Sequence, residues 1–328
     1  MPSVLNTSTA TGPGLSALAE ATREVFSAEI WLACLPTLKF DQFSTKKTEL
    51  GVQPGRTINI QKLNNVKRGG QLAEGVRMNT RSMSMSQASI TVYEHGNAIG
   101  FSELLLQTAF FDQLSAASLL LGRDMAIVLD TQLRDALLGA AGSTIFARGV
   151  AARTNIVAGM GLSTDEVNMA VETLETTNSP RWGGDHYVCF VHPHQAASLR
   201  KDPDWINASL YAGSQQIYTG ELGRWNDVRF VQTTVMPNGA NNSVDSDTGD
   251  YVDIGFSNAL RSGVSGNQTN IYKAVMFGEY AYGHATALPV ELRDNGVTDF
   301  GREHALAWYA IWGSGALESQ NIVVVETA

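Results

Sequence analysis

Residues 56–99 constrain this chain most tightly, because they ask for a long extended element with little apolar surface to fold around. One arm reads RTINIQKLNNVK (56–67), the tip GGQLAEG (69–75), and the other arm RMNTRSMSMSQASITVYEHG (77–96). Ile58, Ile60 and Leu63 are scattered among polar residues, and Met83 and Met85 alternate with serines. With Gly69, Gly70 and Gly75 to reverse the chain, the pattern predicts a two-stranded ribbon. Arms of ~12–18 residues rising ~3.3 Å each would reach ~40–60 Å. A lone hairpin is marginal in water, since it has no second layer to bury a face against. The ribbon carries Arg56, Lys62, Lys67, Arg68, Arg77 and Arg81 against Glu74 and Glu94. A basic, coreless ribbon has to lie on something acidic, so these six cations are the candidate contact residues. The plainer alternative is a solvated flap on a monomer.

The rest of the chain is acidic. Its net charge is −9, and the imbalance is uneven. Residues 1–160 hold 14 Lys and Arg against 12 Asp and Glu, and the remainder holds 9 against 20. One half could attract the other half of a neighbouring copy. The overall sign argues against gripping nucleic acid through its phosphates, which needs clustered cations. With 328 residues the chain can bury a sizeable core as one elongated subunit or two domains. No stretch approaches the ~18 apolar residues of a membrane span, and the opening MPSVLNTSTATGPG does not have the pattern of a secretory signal. Cys34 and Cys189 are far apart, which indicates neither a disulfide framework nor a zinc ribbon and suits synthesis in a reducing cytoplasm.

Residues 1–14 have no core pattern and read as an arm that needs a neighbour to hold it. Leu18, Ala21, Val25, Phe26 and Ile30 then predict an amphipathic helix ending near Pro36. After the ribbon, Phe110, Leu114, Ala117, Leu121, Met125, Val128, Leu129, Leu133 and Leu137 mark one face of a helix over about 103–138. No proline occurs between Pro54 and Pro180 to break it, and ~35 residues give a rod of ~50 Å. Ser163 and Glu166 form a capping box opening another helix, with Val167, Ala170, Val171 and Leu174 as its stripe. HYVCFV (186–191) reads as a buried strand, and Pro193 starts a helix to about Leu199, followed by a second short helix in DPDWINASLYAG. GRWNDVRFVQTTVMP, NIYKAVMFGEYAYG and NIVVVET each hold a strand, with a long polar insertion over 237–268.

Three local motifs stand out along this order. They are VHPHQAASLRKDPDW (191–205), YTGELGRWNDVRFVQTT (218–234), and YKAVMFGEYAYG (272–283) followed by WYAIWGSGAL (308–317). With the ribbon and long helix in sequence, they make the chain resemble a tailed-bacteriophage major capsid protein of the Hong Kong 97-type fold. The resemblance covers the whole chain and implies an α+β fold with an N-arm, an extended β-hairpin E-loop, a long spine helix, a peripheral domain and an axial domain. It implies an N-terminal arm and helix over 1–53, the E-loop over 54–99, and the peripheral domain with the spine helix over 100–160. The axial domain with return strands would take 161–305, and a peripheral C-terminal strand 306–328. The implied function is self-assembly into an icosahedral phage head of pentamers and hexamers enclosing double-stranded DNA, without sequence-specific binding. No enzyme activity, cofactor, metal or membrane is implied. Scaffolding, portal and decoration proteins are possible partners, and the location would be the virion after synthesis in the host bacterial cytoplasm. No motif identifies an acceptor or a catalytic carboxylate for a covalent cross-link from Lys62 or Lys67, and none is expected.

His192 and His194 flank Pro193, but at i and i+2 around a turn they point apart, so a helix-start role competes with a metal site. Asp245, Asp247, Asp250 and Asp253 resemble a calcium loop whose glycine falls one position early and which lacks the closing Glu. Trp182, Trp205, Trp225, Trp308 and Trp312 could stack bases, but without interleaved cations they read as core or subunit contacts. Two alternatives therefore remain: an encapsulin-like nanocompartment shell, and a hydrolase or carbohydrate-binding protein using the 237–268 loop.

Overall fold

The strand-forming runs sort by whether one face or both are apolar, and the architecture follows that sorting. The computed structural model describes residues 38–51, 55–64, 66–71, 74–75, 77–78, 80–109, 112–206, 222–237, 261–262, 269–299 and 302–328. In chain order the strands begin with β1 (Thr45–Lys47), β2 (Thr57–Leu63), β3 (Met85–Thr91) and β4 (Tyr93–Ser102). Helices α1 (Glu103–Thr108) and α2 (Gln113–Gly139), strand β5 (Ser143–Phe146), α3 (Thr164–Thr176), β6 (Tyr187–Val191) and α4 (Pro193–Leu199) follow. The remaining strands are β7 (Arg224–Trp225), β8 (Val228–Gln232), β9 (Arg261–Ser262), β10 (Thr269–Asn270), β11 (Tyr272–Phe277), β12 (Tyr282–Thr298), β13 (Glu303–Ala316) and β14 (Ile322–Thr327).

Strands apolar on both sides make the central layer. All five residues of β6 and all six of β14 are buried. They belong to a six-stranded mixed sheet of order β5-β14-β11-β6-β8-β7. Tyr187, Cys189 and Val191 face one way, onto Val167, Ala170, Val171 and Leu174 of α3. Val188 and Phe190 face the other way, into a cluster with Leu121, Leu129, Leu133 and Leu137 of α2. A sheet covered on both faces needs such continuous apolar strands. Each of these side chains contributes roughly 1.5–3 kcal/mol by leaving water.

The second sheet, of order β1-β12-β13-β4, packs over α2. Its inner surface is an aromatic ladder fixed by hydrogen bonds from both indoles. Trp308 and Trp312 stack at 5.6 Å, and His95 stacks on Trp312 at 4.7 Å. Trp308 Nε1 donates to Asp124 and Trp312 Nε1 to Gln132, both at 2.8 Å and both on α2. The glycines of the WGSG run serve a crossing, because a Cβ on Gly313 would strike the carbonyl of Thr91 where β3 passes over β13.

The capping box is formed as the sequence indicates: Glu166 accepts from the Ser163 N–H at 2.9 Å and from its hydroxyl. The predicted single helix over 103–138 is instead two helices. Ser102 caps α1, and Asp112 caps α2 by accepting from Leu114 N at 3.1 Å and Ser115 N at 3.3 Å. An acidic cap favours a new helix start at this point, so α2 keeps 27 residues, or ~40 Å. Leu114 is exposed, although it lies on the expected inner face.

The ribbon also differs from expectation. Pairing runs only from Thr57↔Thr91 to Leu63↔Met85, extended by Asn64 N to Ser84 O. Beyond Val92 the second arm becomes β4 and pairs with β13. The ribbon is therefore not coreless at its root, where Ile90 and Val92 are buried with Ala285, flanked by Ile58, Ile60 and Leu317. The long hairpin β12–β13 was not anticipated at all. It also divides the expected unit 306–328, since residues up to 316 lie in the four-stranded sheet while β14 lies within the six-stranded one. The expected helix over 18–36 and the aspartates 245–253 fall outside the described residues. The second short helix is described for its first turn, residues 203–206.

Candidate inter-subunit surfaces

The six ribbon cations divide into two groups. Arg56, at the root, lies over the ring of Tyr93 with its guanidinium carbon 5.1 Å from the centroid. Lys62 pairs with Glu318, which follows β13. Both are thus engaged within the chain. Lys67, Arg68, Arg77 and Arg81 lie beyond the last paired residues, are exposed, and have no hydrogen-bond or ion-pair partner among the described residues. Around them Leu63, Val66, Met78, Met83 and Met85 are also uncovered, Met83 at 68%. The tip of the ribbon combines free cations with free apolar side chains, a mixture that water alone serves poorly. Glu318 was invisible to sequence reasoning because it sits 256 residues from Lys62.

At the opposite end of the paired strands, the segment 38–43 is locked to α2 and β12. Asp130 accepts the N–H groups of Lys39 and Phe40, and Tyr282 donates its hydroxyl to Phe40 O at 2.5 Å. Burial pushes the Asp130 carboxyl up to about 6, against the pull of the two backbone donors. Asp41 goes the other way, to about 2, held down chiefly by His284 at 3.0 Å and also by Lys46 at 2.8 Å. In the six-stranded sheet, Glu326 is buried between the Arg153 guanidinium, at 2.6 Å from both oxygens, and Lys273 at 3.6 Å.

The histidines and tryptophans singled out in the sequence are structural in their contacts. His192 caps α4 by accepting His194 N at 3.1 Å, and both rings pack on Tyr272. Burial lowers the His192 pKa to about 4, with His194 adding to the effect. Among the described residues no group of three His, Cys, Asp or Glu side chains is placed to hold a metal ion. Trp205 stacks on Trp225 at 5.7 Å, and Trp182 packs edge-on against Phe43. Cys189 is a buried free thiol pushed well above its ordinary pKa by desolvation. A cleft beside α4 is lined by Ser198, His194 and Asp202 among others, but these do not form a relay. The Ser198 hydroxyl bonds the backbone carbonyl of His194, and Asp202 is taken by the N–H and hydroxyl of Thr164. No helix among the described residues is long and apolar enough to cross a membrane.

A family model described as phage capsid protein matches residues 155–319. No curated protein matches. Among solved structures, the chain is similar to the capsid of the cyanophage P-SCSP1u, with 15% identity, a TM-score of 0.71, and coverage of 99% of this chain and 97% of that one. It is similar to the capsid asymmetric unit of cyanophage Pam1, at 13% identity and a TM-score of 0.73, covering 99% of each chain. The head structure of Helicobacter pylori bacteriophage KHP40 gives 13% identity and a TM-score of 0.72, over 97% of this chain and 98% of that one. At such identities the likeness is one of fold, and it extends over nearly the whole chain. The family match, spanning half of the chain, carries the identity: the chain belongs to the phage capsid protein family and is a tailed-phage major capsid protein, the subunit from which a phage head is built.

Proposed function

We propose that this subunit closes into an icosahedral shell of pentamers and hexamers around double-stranded DNA, and that its role is mechanical, without catalysis. The observation that carries this reading is the ribbon tip, where Lys67, Arg68, Arg77 and Arg81 lack hydrogen-bond and ion-pair partners among the described residues, beside uncovered Leu63 and Met83. In this reading the β2–β3 ribbon is the E-loop and α2 the spine helix. The four-stranded sheet with α2 serves as the peripheral domain. The six-stranded sheet with α3 and α4 serves as the axial domain, which places β14 in the axial rather than the peripheral unit. The N-terminal arm and helix expected over 1–53, of which residues 1–37 lie outside the described residues, would reach a further neighbour. The DNA inside is held by enclosure, which suits a subunit of net charge −9. Exposed ion pairs give only ~0–1 kcal/mol each, but repetition over a closed shell makes them cooperative. Separate scaffolding, portal and decoration proteins complete the head.

The test is sizing and negative-stain microscopy of the expressed full-length chain, alone and with its co-encoded proteins. Rings or closed shells are the expected result. A chain that stays monomeric at high concentration under both conditions would refute the proposal.

A further inference from the structure

The cleft beside α4 encloses about 860 Å³, room for a small organic ligand. Three separate segments wall it: the turn after β5 with Arg148, α4 with His194 and, just beyond it, Lys201, and β11 with Tyr272. Arg148 and Lys201 are exposed, and neither side chain has a hydrogen-bond or ion-pair partner among the described residues. The carboxylate on the wall, Asp202, is already engaged. Its Oδ2 accepts the N–H and hydroxyl of Thr164 at 2.8 and 3.0 Å, and its Oδ1 accepts the N–H of Asp204 at 3.0 Å. Two cations therefore front the cleft with no side-chain anion free to answer them.

The backbone under Arg148 is itself unusual. It lies at φ 52° and ψ 27°, a left-handed conformation that suits glycine and strains an arginine. Buried Glu166 fixes the turn, accepting the Arg148 N–H at 2.7 Å while it caps α3. The guanidinium is thus placed on the cleft against the preference of its own backbone. His194 supplies a second kind of surface. Its hydrogen bonds run through its backbone, from its N–H to His192 and from the Ser198 hydroxyl to its carbonyl. The exposed ring lies 4.3 Å from that of Tyr272 and within 9° of parallel, so one face rests on the tyrosine and the other is open.

We infer that this cleft binds a nucleoside monophosphate, its base on the open face of His194 and its phosphate on Arg148 and Lys201. A flat aromatic face beside cations suits such a ligand, because every base has a π-face and phosphate pairs with guanidinium and ammonium groups. The inference goes beyond the shell reading and does not depend on it.

The test is calorimetric titration of the full-length chain with adenosine monophosphate, inorganic phosphate and adenosine. The monophosphate should saturate and bind at least about tenfold more tightly than either fragment, since only it engages both the cations and the ring. Arg148→Gly relieves the strained turn, so melting should stay within about 2 °C of the parent while the monophosphate and phosphate weaken together by about tenfold. His194→Ala keeps the backbone hydrogen bonds and should weaken the monophosphate by about tenfold with phosphate unchanged. No saturation by about 10 mM monophosphate, or phosphate binding as tightly as the monophosphate, overturns the inference. Parental affinity in either variant overturns it too. If Arg148→Gly misfolds, Lys201→Gln, at an exposed position after α4, takes its place and should show the same joint loss.

Discussion

The Asp130 carboxylate, midway along α2, accepts the backbone N–H of Phe40 at 2.8 Å, and it uses the same oxygen, Oδ1, for the N–H of Lys39. Since Asp130 is 3% exposed, the charge is held at a cost. Its pKa is raised from 3.8 to about 6, so the folded chain binds this proton more tightly than the unfolded one. The contribution to stability is therefore greatest below pH 4 and declines as pH rises through the window from about 4 to about 6, by up to ~3 kcal/mol. Asp130→Asn keeps Oδ1 as acceptor and removes the titration. Thermal melts at half-unit steps should show that part of the pH profile flattened, and an unchanged slope would remove Asp130 as its source. Below pH 4 the lowered Asp41 works in the opposite sense, and stability is lost as pH falls toward 2.

Glu326 ties β14 to β11 and to Arg153 and is itself 1% exposed. Replacing it by Gln keeps the shape but leaves two cations facing a neutral amide. Arg153 is partly exposed and can turn toward water, which discounts the loss. Glu326→Gln should cost ~1–3 kcal/mol in urea unfolding, with no change in slope.

Leu133 is fully buried at the junction of α2 with both sheets. Leu133→Ala removes three methylene-sized groups from a site closed on all sides and should cost ~2–5 kcal/mol. The same unfolding series measures it, and a loss below ~1 kcal/mol would mean that the two sheets collapse freely onto the gap.

The Lys62–Glu318 pair is expected to matter little for the isolated subunit. Lys62 is 54% exposed, and such pairs contribute ~0–1 kcal/mol. Lys62→Ala should leave the melting temperature within about 2 °C of the parent. A larger drop would show that the ribbon is held by this contact and not by the buried Ile90 and Val92 beneath it.

Replacing Lys67, Arg68 and Arg77 by Glu should separate folding from closure. None of the three has a hydrogen-bond or ion-pair partner among the described residues, so circular dichroism and melting should match the parent. Shell yield under the microscope should fall steeply, and in the parent it should weaken with added salt. Normal shells from the triple variant would show that the ribbon cations are only solvated.

What could be read from the sequence tracks the range of the interactions involved. Val188, Phe190, Val323 and Val325 announced a buried sheet because an unbroken apolar run has one physical meaning. Ser163 and Glu166 announced their helix start because a capping box is complete within four residues. The split at Asp112 was missed because the same residue type is an ordinary solvated side chain when it does not cap. The hairpin β12–β13 was missed for another reason. Pro289, register shifts near Thr286 and Asp294, and the mixed run LRDNGVT obscure its alternation, while its partner strand β4 lies some two hundred residues earlier. The six ribbon cations were legible as a group, but which were free depended on Tyr93 and Glu318, and only the folded chain brings those two to Arg56 and Lys62.

The place of β14 has a consequence in time. It lies between β5 and β11, so Ser143 cannot find its partner until Val323 has been made. A growing chain therefore holds β5 without its strand partner while β6, β7, β8 and β11 can already pair, and the sheet is completed only when the last of the described strands emerges. Until then a growing chain lacks its finished six-stranded sheet, although the β2–β3 ribbon has long been complete.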